Sequence, residues 1–336
     1  MTLLAEGGFG CVYYPGFSCE GKVSNETGYV TKIQKKNFNA QNEIQIGNIL
    51  KQISDYSSFF VPVISNCPLE LKELTSNSFS KCKIIKPSSQ IPYTLMKLPY
   101  VKSEDFFDSI SKQSKSSLFM NSFSHLCKSL ELLKRNEVCH FDLKNENILF
   151  DPTLKIPLII DFGISIYYPQ ILDNLKNYFY TYTPSYYIWP LEVHVINFLI
   201  NNEVSSLTEE DIQSIIESSV DANKGFENLS ETFINDYKAK CFHFFNNFKD
   251  VPKEQVIAFF ISKESFFTWD IYSLSIMYLR FLPHLFGDNF EENNGLRSFK
   301  EILISNLLPN FKERNGVEKT LSLFEKLILS DSSLEK

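Results

Sequence analysis

The segment His140-Phe-Asp142-Leu-Lys144-Asn-Glu-Asn147-Ile-Leu149 puts an imidazole, a carboxylate, an ammonium and an amide within ten residues. Lys144 stands two residues beyond Asp142, and Asn147 five beyond it. A loop with that spacing can aim a carboxylate at a hydroxyl, an ammonium at a transferring phosphate and an amide oxygen at a metal ion. Taken alone, an exposed polar loop would read the same way. Fourteen residues past Asn147 comes Asp161-Phe162-Gly163, behind the apolar run Ile156–Ile160, which reads as a buried strand. Asp151-Pro152-Thr153 supplies a turn between the two segments. The order loop, strand, turn, strand returns Asp161 to the neighbourhood of Asn147, where both can offer oxygen ligands to Mg2+.

Two further features bear on phosphate. Leu4-Ala5-Glu6-Gly7-Gly8-Phe9-Gly10-Cys11-Val12 is a glycine-rich strand–turn–strand whose backbone N–H groups can approach phosphate oxygens. On its own it is equally a plain hairpin. Tyr29–Ile33 then carries Lys32 among apolar and β-branched neighbours, either as a solvated strand residue or as a phosphate anchor. Asn42–Leu50 reads as a short amphipathic helix with Glu43 near its start, placed to pair with Lys32. A surface pair of that kind contributes little stability, so its importance would lie in aiming Lys32.

The elements that position these groups follow from patterning. Cys11–Tyr14, Tyr29–Gln34 and Tyr93–Leu98 read as strands. From Glu104 onward the pattern turns helical, with Phe119, Phe123, Leu126, Leu130 and Leu133 forming one apolar stripe. The chain therefore reads as α+β, with a strand-rich lobe at 1–98, a helical lobe at 99–330 and a polar tail at 331–336. Residues 1–100 carry 10 basic and 7 acidic groups, whereas 193–264 carry 6 and 12. Within 193–264, Thr208 caps one helix, Ser230 caps a second that includes Phe233, Tyr237, Phe244 and Phe248, and Pro252 precedes a third.

Composition bounds the rest. In 336 residues, 43% are hydrophobic and 22% charged, enough for a sizeable core and against global disorder. A net charge of −7 argues against a general nucleic-acid binder, which needs a basic face. No apolar run is long enough for a membrane helix, and the start MTLLAEGGFG has neither the basic region of a signal peptide nor a myristoylation glycine. Seven scattered cysteines with no CxxC pair read as free thiols in a reducing compartment. These features lead to the expectation of a soluble, cytoplasmic protein.

In these motifs and their order the chain resembles a eukaryotic-type protein kinase. More narrowly, it is similar to the serine/threonine kinases encoded by large nucleocytoplasmic DNA viruses, from the glycine loop to the helices near 328. The resemblance implies a bilobal kinase-like fold, ATP and Mg2+ as cofactors, and protein substrates with Ser or Thr hydroxyls. If the chain is viral, it also implies residence in the host-cell cytoplasm or the virion. Leu4, Ala5, Gly7, Gly8 and Gly10 then form the phosphate cover, and Val12 packs on adenine. Lys32 binds the α and β phosphates, with Glu43 as its helix partner. Met96 falls at the gatekeeper and Lys97-Leu98-Pro99 at the adenine hinge. Asp142 is the catalytic base, Lys144 the γ-phosphate lysine, and Asn147 and Asp161 the Mg2+ ligands. His140 is structural, Asp270 holds the backbone of the catalytic loop, and Glu192 pairs with Arg314, with Arg280 as the rival. Thr183 stands for the threonine that orients the base.

Two departures stand out. Phe141 replaces the arginine that in the family captures activation-loop phosphate, which implies activity without such phosphorylation. Glu192 and Asp270 are 78 residues apart, so most of 193–264 is a helical, acidic insertion, either a docking surface for a basic partner or a solvated buttress. A pseudokinase scaffold is the alternative from another class, weakened because no catalytic or metal position is lost. A small-molecule kinase would lack Lys144 and the Thr-Pro segment.

Overall fold

The computed structural model describes residues 2–8, 10–69, 82–85, 91–112 and 116–331. Phe9 of the glycine loop and tail residues 332–336 lie outside that set. The chain divides into two compact units, 1–104 with 149–165, and 105–148 with 166–336.

The first unit is built on an antiparallel sheet with strand order β1-β2-β3-β5-β4. Its strands are β1 Thr2–Glu6, β2 Gly10–Tyr14, β3 Tyr29–Lys35, β4 Ser65–Leu69 and β5 Tyr93–Pro99. Helix α1, Phe38–Leu50, follows β3, its N-terminus capped by Asn37, whose side chain accepts from the Ala40 amide. The inner strands β2, β3 and β5 bury side chains on both faces, whereas the edge strands β1 and β4 are largely exposed. Cys11, Tyr13, Ile33, Tyr93 and Leu95 pack on one side, and Val30, Met96, Leu98 and Leu158 cluster on the other. The hairpin of β8 Ile148–Asp151 and β9 Ile156–Ile159 belongs largely to this unit, joined to it by a parallel bridge from Ile159 to Phe60. The two-residue strand β6, Glu104–Asp105, lies at the join between the units.

The expectation of seven free thiols is corrected here. Cys11 is bonded to Cys82 and Cys19 to Cys67, leaving Cys127, Cys139 and Cys241 as buried thiols. The partners are 71 and 48 residues apart in sequence, and only the folded sheet brings their Cα atoms to 6.2 and 5.9 Å, within bonding range. With four thiols paired, the ground for a reducing compartment is removed, because such bonds persist in oxidising surroundings. Closing loops of these lengths contributes ~4 kcal/mol each in the chain-entropy picture. Reductant is therefore expected to lower the urea unfolding midpoint. Alkylation of the denatured, unreduced protein should label three cysteines and, after reduction, all seven. Seven labelled without reductant would show the bonds to be absent.

The second unit is helical. It contains α2 Phe106–Lys112, α3 Ser116–Arg135, α4 Leu175–Tyr178, α5 Leu191–Asn201, α6 Glu209–Asp221, α7 Glu231–Phe245 and α8 Lys253–Phe260. They are followed by α9 Lys263–Phe266, α10 Trp269–Phe286, α11 Asn294–Ser305 and α12 Gly316–Ser330, with a short pair of strands, β7 Val138–Cys139 and β10 Ile166–Tyr167. Helix α10 is buried along most of its length, as its apolar sequence demands. The apolar stripe of α3 meets it: Phe119 and Phe123 lie 4.9 Å from the Tyr278 ring, and Phe299 and Phe324 complete the aromatic core.

In 193–264 the helices start where the caps dictate. Thr208 and Asp211 form a reciprocal capping box on α6, Ser230 caps α7, and Pro252 precedes α8. Phe248 is not in α7, which ends at Phe245. The Asn247 amide donates to the His243 and Phe244 carbonyls, and Phe248 follows in a 3-10 turn. Among the described residues no helix is long and apolar enough to cross a membrane.

Candidate functional site

In the first unit, strand register brings together the residues expected to face phosphate and base. Val12 lies opposite Lys32 and Lys32 opposite Met96, so the three share one row across β2, β3 and β5. Val30 and Leu98 form the next row on the same face, and Val12 packs with them. The result is an apolar floor holding a single ammonium. The glycine turn begins at Gly7, directly after β1. The Gly7 amide donates to the Gly10 carbonyl at 3.0 Å, while Leu4 and Ala5 are on the opposite strand, with Leu4 exposed. A Cβ on Gly10 would meet the Ile33 carbonyl oxygen at 2.5 Å, so the fold itself requires that glycine. Gly7 and Gly8 face open space.

Lys32 is buried, and its three donors are spent on carboxylates. Nζ lies 3.0 and 2.8 Å from Glu43 Oε1 and Oε2, and 2.9 Å from Asp161 Oδ1. Burial alone would lower the pKa of this ammonium; Glu43 and Asp161 together outweigh it and hold it above its ordinary value. Burial likewise pushes the Glu43 carboxyl up to about 6, against the pull of Lys32. Asp161 sits at φ 62, a left-handed conformation costly for a carboxylate residue, stabilised by its neighbours. Those neighbours include a residue the sequence reading missed. Asn42, beside Glu43 on α1, donates from Nδ2 to the Gly163 and Ser165 carbonyls at 3.1 and 2.7 Å. Phe162 packs edge-on against Phe60.

In the second unit the loop 140–147 is held from below and behind. Asp270 accepts from the His140 and Phe141 amides at 2.6 and 2.9 Å and from the Cys139 thiol. The imidazole of His140 turns inward, its Nδ1 accepting from the Asp142 amide at 3.3 Å. Phe141 is at φ 67 and fully buried, stacked on Trp189 at 4.9 Å and packed against Phe179 and Trp269. Trp189 Nε1 donates to the Phe141 carbonyl at 2.8 Å.

Three side chains converge on the carboxylate this cradle presents. Lys144 Nζ lies 2.8 Å from Asp142 Oδ1 and 3.1 Å from Oδ2. Asn147 Nδ2 donates to Oδ2 at 2.9 Å and to the Asp142 carbonyl at 2.8 Å, so the atom it can offer to a metal is its oxygen. The fourth contact is from Tyr186, whose hydroxyl donates to Oδ1 and lies 3.0 Å from Lys144 Nζ. Burial, and then the charge of Asp142, push the Tyr186 phenol far above its usual range, which keeps it a donor. Thr183, expected to orient the base, instead meets Thr181 through its hydroxyl and accepts the Tyr186 amide through its carbonyl. The spacing from Thr183 to Glu192 is longer than the family's, and the group found on Asp142 is the Tyr186 hydroxyl, three residues further along. A hydrogen bond to a charged group is worth ~1.5–3 kcal/mol. Tyr186→Phe is accordingly expected to lower kcat about tenfold or more with KM little changed, and a raised KM at unchanged kcat would contradict a positioning role.

Glu192 and Arg314 form a buried two-pronged pair, with Nη1–Oε1 at 2.5 Å and Nη2–Oε2 at 2.9 Å. Arg314 also reaches Thr268 Oγ1 and the Leu308 carbonyl. Arg314→Met strands a buried carboxylate, at an expected cost of about 3–5 kcal/mol, whereas Glu192→Leu with Arg314→Met should recover much of it. Equal urea midpoints for the single and double variants would contradict this.

Among the described residues no three His, Cys, Asp or Glu side chains cluster as a metal site. Taken singly, the Asp161 carboxylate and the Asn147 amide oxygen are hard donors of the kind Mg2+ takes when substrate phosphates complete its shell.

Comparison with known proteins gives one family. Residues 3–217 match the model described as protein kinase domain. Asp270 and Arg314 lie beyond the matched span, so what is known of them is their geometry. No curated protein matches the chain. A solved structure described as Rad53 1-466 in complex with AMP-PNP is similar over 95% of this chain, at 13% identity and a TM-score of 0.45. The chain spans 62% of that protein's length.

Proposed function

The chain belongs to the protein kinase family, and from that premise we propose that it transfers the γ-phosphate of Mg-ATP to serine and threonine hydroxyls of proteins. The observation that carries the proposal is the convergence of Lys144, Asn147 and Tyr186 on the single carboxylate of Asp142. Mg2+ bound with the nucleotide would neutralise phosphate charge, and the Asn147 amide and the Asp161 carboxylate each carry an oxygen donor suited to it. Lys32, kept charged by Glu43 and Asp161, binds phosphate oxygens over the floor of Val12, Met96 and Leu98. Asp142 orients the acceptor hydroxyl and takes its proton, while Lys144 counters the charge of the moving phosphoryl group.

A lysine two residues after the base favours serine and threonine acceptors. Independence from activation-loop phosphorylation is supported by Phe141, an apolar ring in an aromatic cluster with no charge to offer a phosphate. Ser165 is fully buried and so is not presented to another kinase in this fold. The test is phosphoamino-acid analysis of a labelled protein mixture, repeated with Ser165→Ala and Thr181→Ala. Phosphoserine and phosphothreonine, formed at undiminished rates by both variants, are expected. Label confined to tyrosine, or activity lost with alanine and restored with aspartate, would overturn the respective claim.

A further inference from the structure

Arg280 is the cation that Glu192 leaves over. Arg314 takes the buried carboxylate, and Arg280, ten residues past Asp270 on α10, donates instead from Nη1 to the Tyr187 hydroxyl at 2.6 Å. Its guanidinium carbon is 5.2 Å from the centre of the Tyr187 ring. Lys224 reaches the same ring, with Nζ at 5.8 Å. The 3-10 turn Lys224–Phe226 delivers it, and Gly225 in that turn lies so close to α10 that a Cβ would meet Ile276 side-chain carbons at 2.8 Å. The lysine is thus presented by a turn packed closely on α10.

Neither cation has a carboxylate partner among the described residues; the phenol and its ring are what they meet. A guanidinium carries five donors in a planar fork suited to two-pronged binding of a carboxylate or phosphate, and here one of those donors is seen engaged by a neutral oxygen. The other charges that bear on Tyr187 are Lys144, which is committed to Asp142, and Glu146, which is exposed. Two uncommitted cations therefore face one solvated carboxylate. Tyr187 also adjoins Tyr186, whose hydroxyl is on Asp142. An anion seated on Arg280 and Lys224 would accordingly belong to a residue only a few positions from the acceptor hydroxyl.

We propose that Arg280 and Lys224 form a subsite for an anionic side chain of the substrate, so that this kinase selects acceptor hydroxyls flanked by carboxylate or phosphate groups. The inference rests on the kinase assignment and adds the substrate class. It also assigns a role to part of the 193–264 insertion that its overall acidity conceals, since Lys224 comes from that insertion.

The test uses the purified protein with a set of peptides, each carrying one serine and, scanned through the flanking positions, glutamate, phosphoserine, glutamine or lysine. At one or more positions glutamate or phosphoserine should raise kcat/KM about tenfold over glutamine, with the gap narrowing as salt is added. The ratio between the two acidic peptides tells whether carboxylate or phosphate is preferred. Arg280→Gln and, separately, Lys224→Gln should each shrink the acidic-to-neutral ratio, and Arg280→Glu should favour lysine peptides. Equal rates across the set, a preference for lysine in the natural protein, or ratios unchanged in both glutamine variants would overturn the proposal. Absence of transfer to every peptide would instead remove the kinase assignment on which it stands.

Discussion

Asp142→Asn is expected to lower phosphoryl transfer about 1000-fold while leaving nucleotide binding and the unfolding midpoint near their natural values. Proton transfer by a positioned base contributes ~100- to 10,000-fold in enzymes generally. The amide keeps the shape of the carboxylate but loses its charge and one acceptor atom. Four contacts now reach the two oxygens, from Lys144, Tyr186 and Asn147. An amide nitrogen accepts from none of these donors, so the cluster must rearrange as well as lose its base. The fold should tolerate the change because the loop is held independently by Asp270 and Trp189. Activity above about a tenth of the natural value would show that Asp142 is not the base.

Lys32→Met is expected to lower kcat/KM for ATP about 100- to 1000-fold, the cost of removing one charge-assisted donor from a buried site at ~3–4 kcal/mol. Stability should fall by less than the loss of a cation beside two carboxylates would suggest. Glu43 is already pushed up to about 6 by burial, and without Lys32 it rises further and takes a proton near neutrality. Asp161 is partly exposed and can turn to water. Isothermal titration with an ATP analogue, read beside urea unfolding, separates the two effects. Unchanged affinity in a folded Lys32→Met protein would remove Lys32 from the nucleotide site.

Much of this site was legible because its motifs are continuous stretches of chain. His140–Asn147 and Asp161–Gly163 carry their chemistry in fixed spacing, whereas Lys32 on its apolar strand read equally as a solvated residue or a phosphate anchor until the order of the motifs was taken together. Val12 and Met96 were named only through the family resemblance, and the strand register that places them either side of Lys32 is seen in the sheet itself. What stayed hidden depends on distance along the chain. The Cys11–Cys82 and Cys19–Cys67 bonds join residues whose separation carries no signal, and seven cysteines admit many pairings. Asn42 reads as the polar side of an amphipathic helix, and only folding turns it onto the carbonyls of residues 163 and 165. Tyr186 was hidden differently. A phenol is longer than a threonine side chain and reaches Asp142 from a position to which the sequence reading gave no role. Arg280 and Arg314 were separable only by the structure, which seats one on Glu192 and the other on Tyr187.

The most direct measurement is transfer of labelled phosphate from γ-labelled ATP to a mixture of proteins or peptides by the purified chain, with and without Mg2+. Label should appear on serine and threonine hydroxyls, stop when Mg2+ is chelated, and return when it is restored. A folded, nucleotide-exposed protein that never moves label to a hydroxyl under any of these conditions would contradict the catalytic role given to Asp142, Lys144 and Lys32.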